Sequence, residues 1–251
     1  MRVFATSDLH SDYRDNWEYI AGLSDRDYQQ DVLIVAGDIA HKLDLVAATL
    51  ALLRGKFKRL FFVPGNHELW VRQDKEWNSL DKFQRILELC AELGVETQAA
   101  QVGRYRIVPL FSWYDAAFDT EDWEDDSVLE GWGDFHYCRW PEDMGRQSHF
   151  FARLNESHIR ADTEETISFS HFLPRAELLP QREFLRFKGL PRVAGCDSIE
   201  TQVRQLGAKI HIFGHSDIRR DMVLDDVRYV QHGLGYPRER HAEAFILKEL
   251  G

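Results

Sequence analysis

Val32-Leu33-Ile34-Val35-Ala36 is an unbroken apolar run. It is too short for a helix and has no polar alternation, so it reads as a strand buried on both faces. Such a strand belongs in a sheet covered on both sides by helices. The flanking sequence supplies them. Arg2–Thr6 and Arg59–Val63 are further β-type runs. Tyr13–Leu23 places Trp17, Ile20 and Leu23 on one helical face. His41–Arg54 spaces Leu43, Val46, Leu50 and Leu53 helically, with Gly55 as a stop signal. Asp74–Leu93 repeats the pattern from Trp77 to Cys90 and closes at Gly94. The order β-α-β-α-β-α predicts an α/β fold.

Beyond Gly94 the pattern changes. Val95–Thr97, Tyr105–Phe111, Thr166–Ser170, Lys209–Phe213, Val227–Gln231 and Ala244–Leu247 are short strand candidates. Gln147–Arg160 and Ser198–Leu206 have helical spacing. A second, partly antiparallel sheet is the expected use of these strands. Asp115–Asp143 is irregular, with eleven acidic residues interleaved with Trp123, Trp132, Tyr137 and Trp140. A disordered tail carries few aromatics, so this stretch reads as an ordered excursion, suited to a lid or a docking surface. The expected organisation is one domain over residues 1–251, with the acidic, aromatic insertion at about 113–146.

The formal net charge of −11 opposes a non-specific nucleic-acid binder and docking on anionic membranes. It leaves a phosphate-bearing substrate open, because bound metal inverts the local field. Cys90, Cys138 and Cys196 are widely spaced and odd in number, which fits reduced thiols in a cytoplasmic protein. The N-terminus enters a strand directly, and no apolar run approaches a bilayer span.

Chemistry-bearing residues gather at strand ends. Asp8 and His10 follow the first strand, Asp38 the second, Asn66 and His67 the third. His171 follows Thr166–Ser170, and His215 and Asp217 follow Lys209–Phe213. Polar groups after parallel strands occupy the place where open α/β sheets bind ligands. Taken singly, Asp8 or Asp38 can equally cap a helix, Asn66 can be a turn residue, and His171 can be a core histidine. Together, these carboxylates, imidazoles and one carboxamide suit two metal ions sharing a bridging carboxylate, without sulfur ligands.

Asp8-Leu9-His10, Gly37-Asp38, Gly65-Asn66-His67-Glu68, His171 and Gly214-His215-Ser216-Asp217, in this order, resemble the motifs of the calcineurin-like metallophosphoesterases. The resemblance implies a four-layer α/β/β/α sandwich of two mixed sheets flanked by helices, with the metals at C-terminal strand ends. It implies that Asp8 and His10 hold the first metal, that Asp38 bridges, and that Asn66, His171 and His215 complete the second site. The implied reaction is hydrolysis of a phosphomonoester or phosphodiester by a metal-bridging hydroxide, with His67 as an unliganded general acid. Where the family has a final His, this chain has Asp217. Ligation by Asp217, preferred over its turning away, would shift the site towards Mn, Fe or Mg and away from softer ions. The expected cofactors are two divalent ions, Mn or Fe first, with Zn, Ni or Mg as further options.

The remaining candidates follow from position. His232 and Tyr236, in a glycine-containing loop after Val227–Gln231, are candidate substrate contacts. Glu68 reads either as a residue that orients His67 or, the preferred reading, as a surface acid near the loop. His41 reads as a solvated helix residue and His211 as a packed one. Trp113 and Tyr114 suit either a pocket wall or packing. The expected partner is a small phosphate ester. A nuclease and a protein-binding scaffold of the same fold are the alternatives.

Overall fold

The structure, a computed structural model, describes residues 1–72, 77–121, 126–161, 165–238 and 247–251. Three parallel strands, β1 (Val3–Thr6), β2 (Val32–Val35) and β3 (Arg59–Phe62), pair in sequence order. Every residue of β2 is fully buried, as its unbroken apolar run requires. Each such side chain contributes roughly 1.5–3 kcal/mol by leaving water.

Three helices follow the three strands: α1 (Arg14–Ala21), α2 (Leu43–Lys56) and α3 (Ser79–Leu93). Asn78 caps α3 by accepting the N–H groups of Leu80 and Asp81, each at 2.9 Å, and Gly94 ends it at φ 67°. Residues 74–76, the start of the expected helix, lie outside the described residues. Gly55 does not stop α2. The helix continues to Lys56, whose buried ammonium donates to the carbonyls of Ala21 (3.1 Å) and Leu23 (2.6 Å) at the end of α1.

The second sheet contains β4 (Ala100–Val102), β5 (Tyr105–Pro109), β6 (Glu165–Phe169), β7 (Ile210–Phe213), β8 (Arg220–Leu224) and β9 (Val227–Gln231). Its order is β4-β5-β6-β7-β9-β8, parallel in the middle with β4 and β8 as antiparallel edges. Neither edge strand stands out in the sequence. Exposed edges tolerate polar residues, so the apolar signal is missing. Val95–Thr97 contributes only an isolated bridge between Phe61 and Glu96. Residues 244–246 are outside the described set, and β10 (Lys248–Glu249) pairs antiparallel with β1.

The fold is therefore α/β, with two mixed sheets flanked by helices. One buried apolar cluster connects them. The acidic excursion carries single 3₁₀ turns at Ala116–Phe118 and Asp126–Leu129 and the short helix α4 (Gly133–Tyr137). It leads into α5 (Gln147–Leu154), and α6 (Pro191–Ala194) and α7 (Asp197–Gln205) precede β7. The ends of β1 and β9 meet at a bridge between Ser7 and Gly233, and Gly214 donates to the His171 carbonyl at 2.9 Å. The C-terminal strand ends of both sheets thus share one edge. Among the described residues, no helix is long and apolar enough to cross a membrane.

Candidate metal centre

Five side chains at this shared edge come from left-handed backbone: Asp8 (φ 50°), His10 (41°), Asp38 (57°), His215 (74°) and Asp217 (56°). For residues with a Cβ this costs of order 1–3 kcal/mol each and persists only where neighbours enforce it. Glu68 supplies part of that enforcement. It is fully buried, and its carboxylate accepts four backbone N–H groups: Asp38 (2.9 Å), Ile39 (2.7 Å), Ala40 (3.0 Å) and Gly65 (2.7 Å). The expected surface acid is instead the clamp between two site loops. Burial and the Asp38 charge push its carboxyl up to about 7, against the four donors. The loops approach so closely that a Cβ on Gly37 would overlap the His171 ring, and one on Gly65 would overlap Asp38.

Hydrogen bonds define how the ligand atoms face. His171 Nδ1 lies 2.8 Å from the Ala36 carbonyl, and His215 Nε2 lies 2.9 Å from the Val193 carbonyl. A carbonyl only accepts, so these two nitrogens carry protons. The opposite nitrogens, His171 Nε2 and His215 Nδ1, each lie 3.0 Å from Asn66 Oδ1. The Asn66 amide group donates in turn to Asp134 Oδ1 at 2.9 Å, which requires Oδ1 to face the histidines. Three acceptor atoms therefore converge beside Asp38. His171 Nε2 is 3.4 Å from Asp38 Oδ1. That arrangement calls for a cation or a proton between them. Burial disfavours the His171 imidazolium, yet the Asp38 charge raises it to about 10, and Asp38 itself is strongly depressed. His215 is driven down to about 3 by burial and by the His171 charge.

A second group lies alongside. Asp8, His10 and Asp217 offer donor atoms within 4.8 Å of one another, as do Asp38, His171 and His215. His10 Nδ1 is buried without a hydrogen-bond partner among the described residues. Asp8 is tied by its Oδ1, which accepts the His215 N–H at 2.8 Å, and by the Ser7 hydroxyl on Oδ2. Burial raises the Asp8 carboxyl pKa. Oxygen and imidazole donors without sulfur fit two divalent cations.

His67 stands at the edge of these groups. Its ring stacks on Trp70 at a centroid separation of 3.9 Å, and its Nε2 lies 3.3 Å from the Tyr236 hydroxyl and 3.9 Å from Asp38 Oδ2. Burial lowers its pKa to about 4. Tyr236 also stacks on His10 at 4.2 Å. A cavity of about 580 Å³ is lined by His10, Asp38, His67 and Asp217 together with Trp132, Phe187, Arg186 and Arg238. His232 is not among its lining residues and gives its carbonyl to Thr6.

Three other candidates resolve as structure. His211 is fully buried between the Ser168 and Ser170 hydroxyls. His41 is half-buried, 3.5 Å from Asp12, rather than solvated. Trp113 packs on Phe172, Trp140 and Phe151. Asp134 is the site residue that sequence reasoning missed. It is one acid among eleven in the excursion, and nothing local marks it.

A model of the calcineurin-like phosphoesterases matches residues 1–218, and the chain belongs to that family. It is a metal-dependent phosphoester hydrolase of a family that uses divalent cations. Among curated proteins it is similar to the [acyl-carrier-protein] phosphodiesterase PptH of Mycobacterium tuberculosis, at 28% identity over 94% of this chain and 78% of that protein. The crystal structure of the phosphopantetheinyl hydrolase PptH from Mycobacterium tuberculosis superposes with a TM-score of 0.84. The identity there is 26%, covering 99% of this chain and 95% of that one.

Proposed function

We propose that this chain hydrolyses a phosphodiester, specifically one joining a phosphopantetheinyl group to an acyl carrier protein. The substrate follows from the likeness to PptH across nearly the whole chain. The observation that carries the chemistry is the convergence of His171 Nε2 and His215 Nδ1 on Asn66 Oδ1, each at 3.0 Å. Those three residues would hold one cation, Asp8, His10 and Asp217 the other, and Asp38 both. Mn or Fe suits the donors best, with Zn, Ni or Mg as alternatives. When bound, the two cations neutralise phosphoryl charge and acidify water.

The protein's own groups do the rest. His67 has no place in either ligand group and delivers the proton to the departing oxygen. Burial leaves its imidazole neutral at pH 7, so it takes up this proton only when a phosphoryl anion beside it raises its pKa. Trp70 and the Tyr236 hydroxyl hold the ring in place. Arg186 and Arg238, which line the same cavity, would face an anionic substrate, and Trp132 stacked on Phe187 provides an apolar wall for an uncharged arm. The whole chain acts as one catalytic domain, with the 113–146 excursion as part of it.

The test is hydrolysis of a phosphopantetheinylated carrier protein and of bis-p-nitrophenyl phosphate, with and without Mn²⁺. Release is expected only with metal. His67→Ala should lower kcat by about 10²–10⁴-fold at unchanged metal content. A metal-loaded protein inert on both substrates overturns the proposal. Turnover of the small diester alone removes the carrier-protein assignment.

A further inference from the structure

Asp134 is buried and sits in α4, 68 positions along the chain from Asn66. Its Oδ1 accepts the Asn66 amide at 2.9 Å and the Trp70 indole N–H at 2.6 Å, and its Oδ2 accepts the Trp132 indole N–H at 2.8 Å. An Asn side chain is nearly symmetric in shape, and only its partners decide which end is oxygen. A carboxylate cannot donate, so it compels the NH₂ end of Asn66 towards itself and the oxygen towards His171 and His215. With the amide reversed, Asn66 would present hydrogens where a cation belongs. The same carboxylate holds Trp70, on whose face His67 lies.

We propose that Asp134 is a positioning residue for both neighbours in the Asn66-His67 pair, acting on the metal ligand through its amide and on the proton donor through Trp70. This rests on the assignment of Asn66 as a ligand. It gives the acidic, aromatic excursion a job: it is a support of the metal centre. Outer groups that orient a ligand typically change metal affinity about 10–100-fold.

The test measures Mn²⁺ affinity and stoichiometry by titration of the metal-free chain. Wild type is expected to take two ions. Asp134→Ala should weaken one of them about 10–100-fold and leave the other unchanged. Asn66→Ala with Asp134→Ala should be no weaker than Asn66→Ala alone, because both act at one point. Trp70→Phe should keep both ions and lower kcat. Wild-type affinity for both ions in a folded Asp134→Ala protein overturns the proposal, as does an added loss in the double variant. If Asp134→Ala does not fold, the reciprocal exchange decides. It is made in a Trp70→Phe background, which removes the indole N–H that shares Oδ1 of Asp134. There Asn66→Asp faces two carboxylates together and should lose the second ion, and Asn66→Asp with Asp134→Asn restores a donor and should recover at least about tenfold. No recovery overturns the proposal. Wild type that binds no second ion at all counts instead against the two-cation reading.

Discussion

The Glu68 carboxylate accepts the backbone N–H of Ile39 at 2.7 Å, across 29 positions of chain. With its bonds to Asp38, Ala40 and Gly65, it holds the loop after β2 against the loop after β3. Glu68→Ala leaves four buried donors unsatisfied. Stability should fall by about 3–5 kcal/mol, given roughly 1.5–3 kcal/mol for a bond to a charged group and incomplete additivity. Glu68→Gln keeps one acceptor oxygen and should lose less. Urea unfolding of both variants checks this, and a loss below about 1 kcal/mol would contradict the clamp.

Gly65→Ala tests the closeness of the loops. The added Cβ would lie 2.8 Å from the backbone nitrogen of Asp38 and 2.8 Å from His171 Cε1, and it would overlap the Asp38 carboxylate. Backbone cannot yield, so Asp38 must move. A displacement of about 1 Å at a site of this kind can cost roughly a hundredfold. We expect a loss of that order in kcat/KM on bis-p-nitrophenyl phosphate, together with reduced metal content.

Chelation should destabilise the fold as well as stop turnover. Asp8, Asp38 and Asp217 crowd negative charge that cations neutralise. At free metal about 100-fold above Kd, each bound ion adds about 2.7 kcal/mol. For a chain of this size that raises Tm by roughly 5–10 °C per ion. Calorimetry with EDTA and with Mn²⁺ measures the difference, and equal Tm values would count against resident ions.

Acid stability depends on Asp31. Burial raises its carboxyl pKa, but the Arg2 guanidinium (2.6 Å) and the Arg2 backbone N–H (2.7 Å) outweigh this and hold it below the ordinary value. A depressed folded pKa contributes stability above the unfolded value of about 3.9, and that contribution is lost as pH falls through the folded value. Asp31→Asn should therefore be less stable than wild type at pH 7 by roughly 1–3 kcal/mol, and the gap should close as pH falls below the ordinary carboxylate value of about 3.9 and through the lower folded one. A gap independent of pH would mean that the ion pair does not titrate with folding.

The sequence carried the centre of this molecule in plain view. A β2 with no polar residue demands cover on both faces, and helical spacing on each side supplies it. The residues at the strand ends are legible for the same reason: a polar side chain just after an apolar strand must emerge at the sheet edge. Local pattern was enough to place Asp8, His10, Asp38, Asn66, His67, His171, His215 and Asp217 at one end of the fold. Edge strands β4 and β8 lacked that pattern because a half-exposed strand needs no apolar run.

Tertiary structure decided which way those side chains face. Nothing near Glu68 in sequence separates a surface acid from a buried clamp, because its four donors come from two loops. Nothing in Asp115–Asp143 distinguishes Asp134 from its acidic neighbours, because its role exists only where α4 meets Asn66. Tyr236 lines the cavity and reaches His67, whereas His232 is not among the cavity's lining residues, although both occupy one loop. Strand-end chemistry follows from the order of residues along the chain, whereas orientation follows from hydrogen-bond partners that only folding brings together.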